Sequence, residues 1–421
     1  MKKLIIPSIL CSTLLFGSAY KIPEQSIKSV GLAGAYVAGA EGADAAYFNP
    51  ANMSFMEDEG FLEISFTGIY LPKIKFSGDV YSLATQSFEK ADAKSKEQMF
   101  LIPHIHWVSK EYKGLRFGFS TATPAGLSKR WSTKPQIYKA EEFTLRVIEL
   151  NPSFSYKINE KLSFGAGIRA IYSDGKIKLT YPNLYKEDME GDTDIRWGYN
   201  AALSYRPHKD LTLAATYRGR VGLREKGDAK GYISKYIITK NPADMNTLIP
   251  YNTKANVEVP LPATLSLAAA LNITPSTKVE LEYERTYWHK YQYLDFNFED
   301  PLAEAVLGRP KEKNWHDTNT FRVGITHKNS EKLTTMYGLA YDETPIPNSR
   351  VGFELPDNDA FIFSIGALYS YTENISIGAS YLYDYKLPRT IQKSDKNNNG
   401  IAGRFSEGGA HLLNIGLTYR Y

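Results

Sequence analysis

The 421-residue chain carries 50 lysines and arginines against 46 aspartates and glutamates, and this near balance argues against a nucleic acid partner. Its single cysteine, Cys11, excludes disulfide bonds within the chain as a source of stability. The 30 tyrosines suit both β-strands and a membrane interface, where the ring meets lipid and the hydroxyl meets water.

The first residues predict a secretory signal. Two lysines precede an apolar run over residues 4–16, and residues 17–19 supply the small side chains that a signal peptidase needs. The run is too short to span a bilayer, and no later stretch holds about 18 consecutive apolar residues. We therefore predict a signal peptide over residues 1–19, a mature chain that begins near Tyr20, and no transmembrane helix.

Residues 20–60 differ in composition from the rest of the chain. Glycine, alanine and valine dominate residues 26–46, which also carry a few charges. Such a segment is too polar for lipid and too small-sided to build its own core, but it suits the interior of a barrel, where small residues allow close backbone approach. Next along the chain, Asn49 can cap a short helix that has Pro50 at its first position, because proline lacks the N–H that would be unpaired there.

Alternation with a period of two predicts strands from about residue 61 onward. In residues 361–371, large apolar and aromatic side chains share one face, while serine and glycine occupy the other. The same pattern recurs in residues 162–172, 375–385 and 413–421. The aromatic residues gather at the ends of the apolar stripe, as expected when the outer face of a barrel meets lipid and the inner face is polar.

Short polar connections alternate with long, variable ones. The short connections span residues 110–114, 159–161, 208–210, 274–277, 329–332 and 372–374. We therefore predict an all-β fold: a transmembrane antiparallel β-barrel of about fourteen strands over residues 61–421, with an N-terminal hatch, or plug, of short helices inside its lumen over residues 20–60. The alternative is a periplasmic β-sandwich or a soluble repeat protein.

Four stretches carry a resemblance to one family. They are Asn49-Pro50-Ala51, which follows the glycine- and alanine-rich tract, and residues 150–172, 197–207 and 342–359. In these stretches the chain resembles the FadL-type outer-membrane transporters of long-chain fatty acids and hydrocarbons, over essentially the whole mature sequence. The resemblance implies capture by loops, transfer to an internal apolar pocket, hatch movement and lateral exit. Asn49, Pro50 and Ala51 are then gating residues, or only a helix cap.

The longest connection carries more large apolar groups than a loop facing water normally does, which marks an interaction site. From this loop and the preceding one we predict a substrate-binding groove of Leu184, Tyr185, Tyr232, Ile233, Tyr236, Ile237, Met245 and Leu248. The resemblance implies that such loops hold an acyl chain, and the alternative is that they pack on each other. Arg169 and Arg322, predicted to face the lumen, bind the substrate carboxylate or pair with luminal acids.

The third predicted strand, residues 115–123, runs into a proline and a glycine. Pro124 removes a ladder donor and Gly126 permits a bend, so we predict the lateral gap here. An ordinary strand end is the alternative. Asp174 stands where the resemblance implies a basic residue, so aromatic or aliphatic hydrocarbons stay beside fatty acids as a substrate class.

Other constellations predict no further chemistry. Residues 395–400 have the spacing of an EF-hand loop, but Ser406 takes the twelfth position, so we interpret them as a polar loop with calcium binding as the alternative. His104 and His106 share a strand face without a third ligand, and we predict no metal site. The sequence has no G-x-S-x-G and no Walker A loop, so we predict no catalytic residue, no cofactor and no enzyme.

These observations predict a passive channel in the bacterial outer membrane that takes up hydrophobic small molecules, long-chain fatty acids first, and works as a monomer. The other predicted partners are outer-membrane lipid, lipopolysaccharide and the barrel-insertion machinery, which reads a terminal aromatic residue such as Tyr421. The alternative of a different class is a surface barrel that transports nothing, such as an adhesin.

Overall fold

The computed structural model describes residues 19–82 and 85–421. The predicted signal peptide lies, except for Ala19, outside the described residues. In the described ranges no helix has both the length and the apolar character needed to span a bilayer.

Strands make up most of the structure. The helices are α1 Ile27–Gly31, α2 Ala45–Phe48, α3 Ile137–Ala140, α4 Lys235–Thr239 and α5 Pro301–Leu307, with 3-10 helices at Pro50–Phe55, Pro242–Asp244, Trp288–Lys290, Asn348–Arg350 and Lys393–Asp395. The strands are β1 Phe61–Leu71, β2 Lys75–Ser82, β3 Ser87–Lys90, β4 Ala93–Lys94, β5 Gln98–Val108, β6 Leu115–Ala122, β7 Gly126–Arg130, β8 Glu142–Lys157, β9 Leu162–Tyr181, β10 Tyr185–Asp192, β11 Arg196–His208, β12 Leu211–Arg218, β13 Val221–Ser234, β14 Leu248–Leu261, β15 Ala263–Thr274, β16 Thr277–Tyr287, β17 Tyr293–Leu294, β18 Phe296–Phe298, β19 Lys311–Glu312, β20 Thr318–Lys328, β21 Leu333–Asp342, β22 Ala360–Ser370, β23 Ile375–Lys386, β24 Arg389–Ile391, β25 Ile401–Ser406 and β26 Gly409–Arg420.

Fourteen antiparallel wall strands close into a barrel, which confirms the predicted fold class. Four of the wall strands consist of two consecutive segments each, written here with a plus sign. In order around the wall the fourteen strands are β1, β5, β6+β7, β8, β9, β10+β11, β12+β13, β14+β15, β16, β20, β21, β22, β23 and β26. β26 pairs with β1 from Phe61↔Arg420 to Tyr70↔His411 and so closes the sheet. The predicted short connections join neighbouring strands at the barrel end where Gly60 and Tyr421 also pair.

The two faces of the wall differ as the alternation predicts. On β22, Phe363 and Ile365 point outward and are 49% and 52% exposed, whereas Ile362, which precedes Phe363 and points inward, is buried. Ser364, also on the inner face, donates its hydroxyl to the carbonyl of Gly31 at 2.9 Å. Large apolar groups therefore cover the surface that meets lipid, and small or polar groups face the interior.

Residues 20–60 fill the interior of the barrel. Helix α1 contacts β21, β22, β23 and β26, while α2 and the 3-10 helix at Pro50–Phe55 contact strands from β5 to β11 on the opposite side. Wall glycines make this fit possible: a β-carbon on Gly165 would collide with the backbone nitrogen of Ala51, and one on Gly338 would collide with Leu32.

The long connections build a cap at the other end. Strands β2, β3, β4, β24 and β25 form a separate five-stranded sheet. The ring of Phe353, from the connection after β21, packs 5.0 Å from Phe76 and 5.5 Å from Phe405, and Trp131 donates its indole N–H to the Phe353 carbonyl at 2.9 Å. Between this cap and residues 20–60, the upper parts of β7 to β10, β13 and β14 surround an apolar space.

Candidate functional site

An apolar cavity of about 110 Å³ lies beneath the cap. Alternate residues of the upper wall strands point into it, among them Leu145 on β8, Ile177 on β9, Met189 on β10 and Val257 on β14. Phe296 on β18 adds an aromatic ring. The same period-two alternation that puts polar groups inside the lower barrel puts apolar groups inside the upper wall. The cavity suits an apolar ligand.

An aromatic cluster forms one side of the cavity. The ring of Tyr20 lies edge-on to Trp288 at 4.9 Å and 5.7 Å from Trp315, and Trp315 lies 4.7 Å from Tyr291. The hydroxyl of Tyr20 donates to the carbonyl of Pro260 at 2.5 Å. The start of the predicted hatch therefore packs directly against the cavity, so movement of that segment changes the cavity itself.

Charged side chains of the cap connections enter the cavity wall in ion pairs. Lys313 pairs with Glu354 at 2.8 Å, and Arg350 pairs with Glu312. Among the residues that the structure describes, Nε of Arg350 and the indole nitrogen of Trp315 are buried donors without an acceptor. Buried donors cost free energy until an acceptor reaches them. An oxygen-bearing ligand would satisfy them.

Opposing effects set the ionisation of the loop pair Lys313 and Glu354. Burial alone raises the pKa of the Glu354 carboxyl, but the Lys313 ammonium brings that pKa below its ordinary value of 4.5. Burial lowers the pKa of Lys313, whereas the Glu354 carboxylate and Tyr291 bring it above 10.5. Both groups are therefore charged across the neutral range.

The pair should make the stability of the cap independent of pH over a wide range. The Glu354 contribution is present above pH 4.5 and is lost as pH falls through its lowered pKa; the Lys313 contribution is present below pH 10.5 and is lost as pH rises through its raised pKa. Tryptophan emission of the folded barrel should therefore stay flat between these limits. A Lys313→Met variant should lose the flat region, and a slope in the wild type at neutral pH would contradict this assignment.

Carboxylates of the wall hold the backbone of residues 36–39. Glu280 on β16 accepts hydrogen bonds from the N–H groups of Val37 and Ala38 at 2.6 Å and of Gly39 at 2.8 Å. Glu282, two residues along, accepts from the N–H of Tyr36 at 3.2 Å. Hydrogen bonds to carboxylates are among the stronger ones, so this contact anchors the segment to the wall.

Asn49, from the predicted gating triplet, ties two parts of the hatch to the wall. Its amide donates to the carbonyl of Val37 at 2.8 Å and to the hydroxyl of Ser204 at 2.9 Å. Its side-chain oxygen accepts from the N–H of Ala51 at 3.1 Å and so caps the 3-10 helix that Pro50 begins. The capping geometry and the contacts to the rest of the hatch thus use one side chain.

Arg169 and Arg322, predicted to bind the substrate carboxylate, are buried in ion pairs. Arg169 donates to Glu149 at 2.8 and 3.1 Å, and Glu149 also accepts from Arg218 at 2.7 Å. Arg322 pairs with Glu282 at 2.9 Å. Both arginines line a separate cavity of about 80 Å³ beside the hatch and lie outside the apolar one. A role in carboxylate binding stays a prediction.

The third wall strand is interrupted at residues 123–125, between β6 and β7. The interruption includes Pro124 and ends at Gly126, the two residues at which the sequence predicts a gap. The ladder between β5 and β6 stops at Ile105↔Thr121, although β5 continues to Gln98. The start of the hatch occupies the interruption: the N–H of Ile22 donates to the carbonyl of Pro124 at 3.0 Å, and the N–H of Gly126 donates to the carbonyl of Tyr20 at 2.9 Å. Whether substrate leaves here stays a prediction.

The predicted groove residues lie together on the cap but outside the cavity lining. Ile233 and Leu184 are buried, and the hydroxyl of Tyr185 donates to the carbonyl of Tyr138 at 2.9 Å. Tyr232, Tyr236 and Ile237 are half-buried on β13 and α4, while Met245 and Leu248 are exposed. Packing among the loops therefore uses part of this set, and the groove stays a prediction for the rest.

The remaining polar motifs have structural partners. His106 hydrogen-bonds with the carbonyl of Gln25 at 2.8 Å and with Ser120 at 2.9 Å, which links the wall to the hatch. In residues 395–400, the Asn397 amide donates to the carbonyls of Asn348 and Val351, so this loop fastens the cap. No cluster of potential metal ligands occurs within the described part of the chain.

Sequence reasoning missed most of the cavity. Tyr20, Lys313 and Trp315 were not singled out, and Arg350 and Glu354 entered only as members of residues 342–359. The sequence feature that could have indicated it is indirect: the chain has only 5 tryptophans, and two of them, Trp288 and Trp315, lie in one long connection, each two residues from a lysine.

The comparisons with known proteins agree with this architecture. A family model described as outer membrane protein transport protein (OMPP1/FadL/TodX) matches residues 8–421. The long-chain fatty acid transport protein of Escherichia coli O6:H1 is 26% identical, covering 99% of this chain and 98% of that protein, and outer membrane protein P1 of Haemophilus influenzae Rd is 24% identical, covering 96% and 95%.

Two solved structures share the fold. A Pseudomonas aeruginosa FadL homologue has a TM-score of 0.81 at 20% identity and covers 96% of this chain and 99% of its own. The Ralstonia pickettii toluene transporter TbuX has a TM-score of 0.68 at 15% identity, with coverage of 94% and 97%.

Proposed function

We propose that this chain, which belongs to the OMPP1/FadL/TodX family of outer membrane protein transport proteins, is a passive outer-membrane channel for hydrophobic small molecules, with long-chain fatty acids as its first substrate class. The observation that carries the proposal is the apolar cavity between the cap and the hatch, with the buried donors of Arg350 and Trp315 at its wall. Each buried methylene of an acyl chain gains roughly 0.8 kcal/mol, which provides ample affinity for capture.

The route that we propose starts at the loops and ends in the membrane. The groove residues capture the ligand, which then enters the cavity beside Tyr20. Movement of residues 20–25 then uncovers the interruption at residues 123–125, and the ligand leaves sideways. The contacts that support this route are the backbone hydrogen bonds between Tyr20, Ile22 and the interrupted strand, because one displacement opens both the cavity and the wall.

Hydrocarbons are the second candidate class, and one observation favours them. Lys313 is already neutralised by Glu354, so the cavity does not require an anionic ligand. The Ralstonia pickettii structure is named as a toluene transporter, and its likeness to this chain shows the fold alone.

The Escherichia coli and Haemophilus influenzae relatives described above are named as a transport protein and an outer membrane protein, which points to a chain that is not an enzyme. We propose no catalytic step and no cofactor. We further propose that the barrel works as a monomer, contacts outer-membrane lipid and lipopolysaccharide, and reaches the membrane through the barrel-insertion machinery.

Uptake of labelled oleate tests the proposal. Cells that express the chain should accumulate oleate faster than otherwise identical cells that lack it, since capture by the cavity concentrates a scarce ligand at the membrane. A parallel assay with labelled toluene compares uptake of the second substrate class, the hydrocarbons, with uptake of oleate. Equal uptake of both ligands with and without the chain would contradict transport and favour a surface barrel such as an adhesin.

Replacing Asn49 with alanine should reduce oleate uptake to less than half. The change removes two donated hydrogen bonds and the helix cap, each worth about 1 kcal/mol, and so loosens the hatch. Heat-modifiable gel mobility should stay that of the folded barrel. Asn374→Ala, on the exposed short turn between β22 and β23 at the end of the barrel opposite the cap, is the matched control and should leave both measurements unchanged. Loss of the folded mobility in the Asn49 variant would show that the residue is only structural.

A further inference from the structure

Three glycines lie side by side on the inner face of the upper wall. The strand register pairs Gly191 on β10 with Gly175 on β9 and with Gly227 on β13. All three line the apolar cavity. Because three adjacent positions lack a side chain, the backbones of β9, β10 and β13 form a bare stretch of the cavity wall, and we call this stretch the glycine hollow.

A carboxyl group reaches into the glycine hollow. Glu225 precedes Gly227 by two residues on β13, so it shares the inner face. The residue is only 8% exposed. Ser173 donates its hydroxyl to Oε1 of Glu225 at 3.0 Å, while Oε2 extends over Gly175, where an added β-carbon would collide with it.

Glu225 has no counter-ion. Over residues 19–82 and 85–421 the structure provides no hydrogen-bond donor to its Oε2 and no ion-pair partner, and the paired acids Asp174 and Asp192 on β9 and β10 carry the same sign of charge. An ionised carboxylate without a partner in an apolar cavity is strongly unfavourable. A ligand group that pairs with this carboxyl therefore removes a cost that the empty cavity carries.

The chemistry of the carboxyl selects the kind of group. A hydroxyl both donates and accepts, so it pairs with Glu225 whether the carboxyl is ionised or protonated. A fatty acid carboxylate only accepts, so it pairs with the protonated form alone. An ammonium donates to either form, but beside a protonated carboxyl it would leave its own charge unpaired in the apolar cavity. An alkane leaves the carboxyl unpaired in both forms.

We propose that Glu225 and the glycine hollow form a subsite for a hydroxyl group on a hydrophobic ligand, such as a long-chain alcohol, a hydroxylated acyl chain or a phenol. The hollow makes room for the hydroxyl beside the wall, and Ser173 holds the carboxyl in place. The inference rests on the proposed function, since it assigns a preferred substrate class to the same cavity.

The test is displacement of a fluorescent fatty acid from the purified full chain in detergent. The four probes are dodecan-1-ol, dodecane, dodecanoate and dodecylamine, each corrected for its partition into detergent. Dodecan-1-ol should displace the fluorophore at a concentration about tenfold lower than dodecane, as expected for one hydrogen bond to a carboxyl. Glu225→Leu should abolish this difference, and Glu225→Gln should keep it, because an amide also donates and accepts.

A further variant separates the subsite from folding. Gly175→Ala places a methyl group against the carboxyl of Glu225, whose side chain supplies the nearest atoms, so it should reduce the alcohol preference while the barrel keeps its heat-modifiable mobility. Equal displacement by dodecan-1-ol and dodecane, or a preference that survives Glu225→Leu, would overturn the proposal. A preference for dodecylamine would overturn it in favour of a cation site. Failure of the fluorescent fatty acid to bind at all would instead contradict the proposed transport function.

Discussion

A disulfide between positions 21 and 125 should reduce oleate uptake at least tenfold, and reduction of the disulfide should restore it. Lys21 and Ala125 form an antiparallel bridge, flanked by the backbone hydrogen bonds from Ile22 and Gly126. Such non-hydrogen-bonded pairs have Cα atoms about 4.5 Å apart, within the range that a disulfide spans. The cross-link fixes the start of the hatch in the interruption of the wall, so the proposed exit cannot open.

The same double variant in reductant is the matched control, because both forms lack the ion pair between Lys21 and Glu284. The background is clean, since Cys11 is the chain's single cysteine and lies in the predicted signal peptide. Binding of the fluorescent fatty acid separates capture from release. Undiminished uptake by the fully oxidised variant would exclude movement of this segment from the transport route.

Replacing Glu149 with glutamine should lower the free energy of unfolding of the barrel by about 3 to 5 kcal/mol, measured as urea unfolding in lipid vesicles. Glu149 is fully buried between Arg169 and Arg218, and its Oε2 accepts from the Arg169 guanidinium while its Oε1 accepts from that of Arg218. Removal of its charge leaves two cations buried without a counter-ion. The free-energy cost of leaving these charges unpaired is much larger than the net stabilisation that the intact ion-pair network provides.

An exposed pair supplies the comparison. Arg146 and Asp174 on the outer side of the upper wall pair at 2.7 Å, with side-chain exposures of 69% and 28%. Water screens this pair, so Asp174→Asn should change the unfolding free energy by less than about 1 kcal/mol. Equal effects of the two substitutions would refute the assignment of Glu149 as a buried counter-ion.

The barrel could be predicted because the sequence patterns that indicate it are local. Alternation within β22, β23 and β26 and the short polar turns need only neighbouring residues, so they reveal strand number and facing without any tertiary information. The interruption near Pro124 is local for the same reason, since proline lacks an N–H for the ladder.

The cavity was not predictable because its members meet only after the barrel closes. Tyr20 starts the hatch, Trp315 ends one long connection and Glu354 lies in another, and no periodicity links them. Arg169 shows the same limit. Alternation predicts that it faces inward, but it does not predict that Arg169 on β9 and Arg218 on β12 share the carboxylate of Glu149 on β8.

The pairing of the first wall strand with the last one has a consequence for assembly. Phe61 contacts Arg420, its neighbour in the sheet but nearly the whole wall away along the chain. The seam therefore forms only after the final strand is available, and until then both margins expose unpaired amides that hydrocarbon cannot solvate. A ribosome that stops even one strand early produces an open ribbon, so biogenesis is all-or-none with respect to the carboxyl terminus.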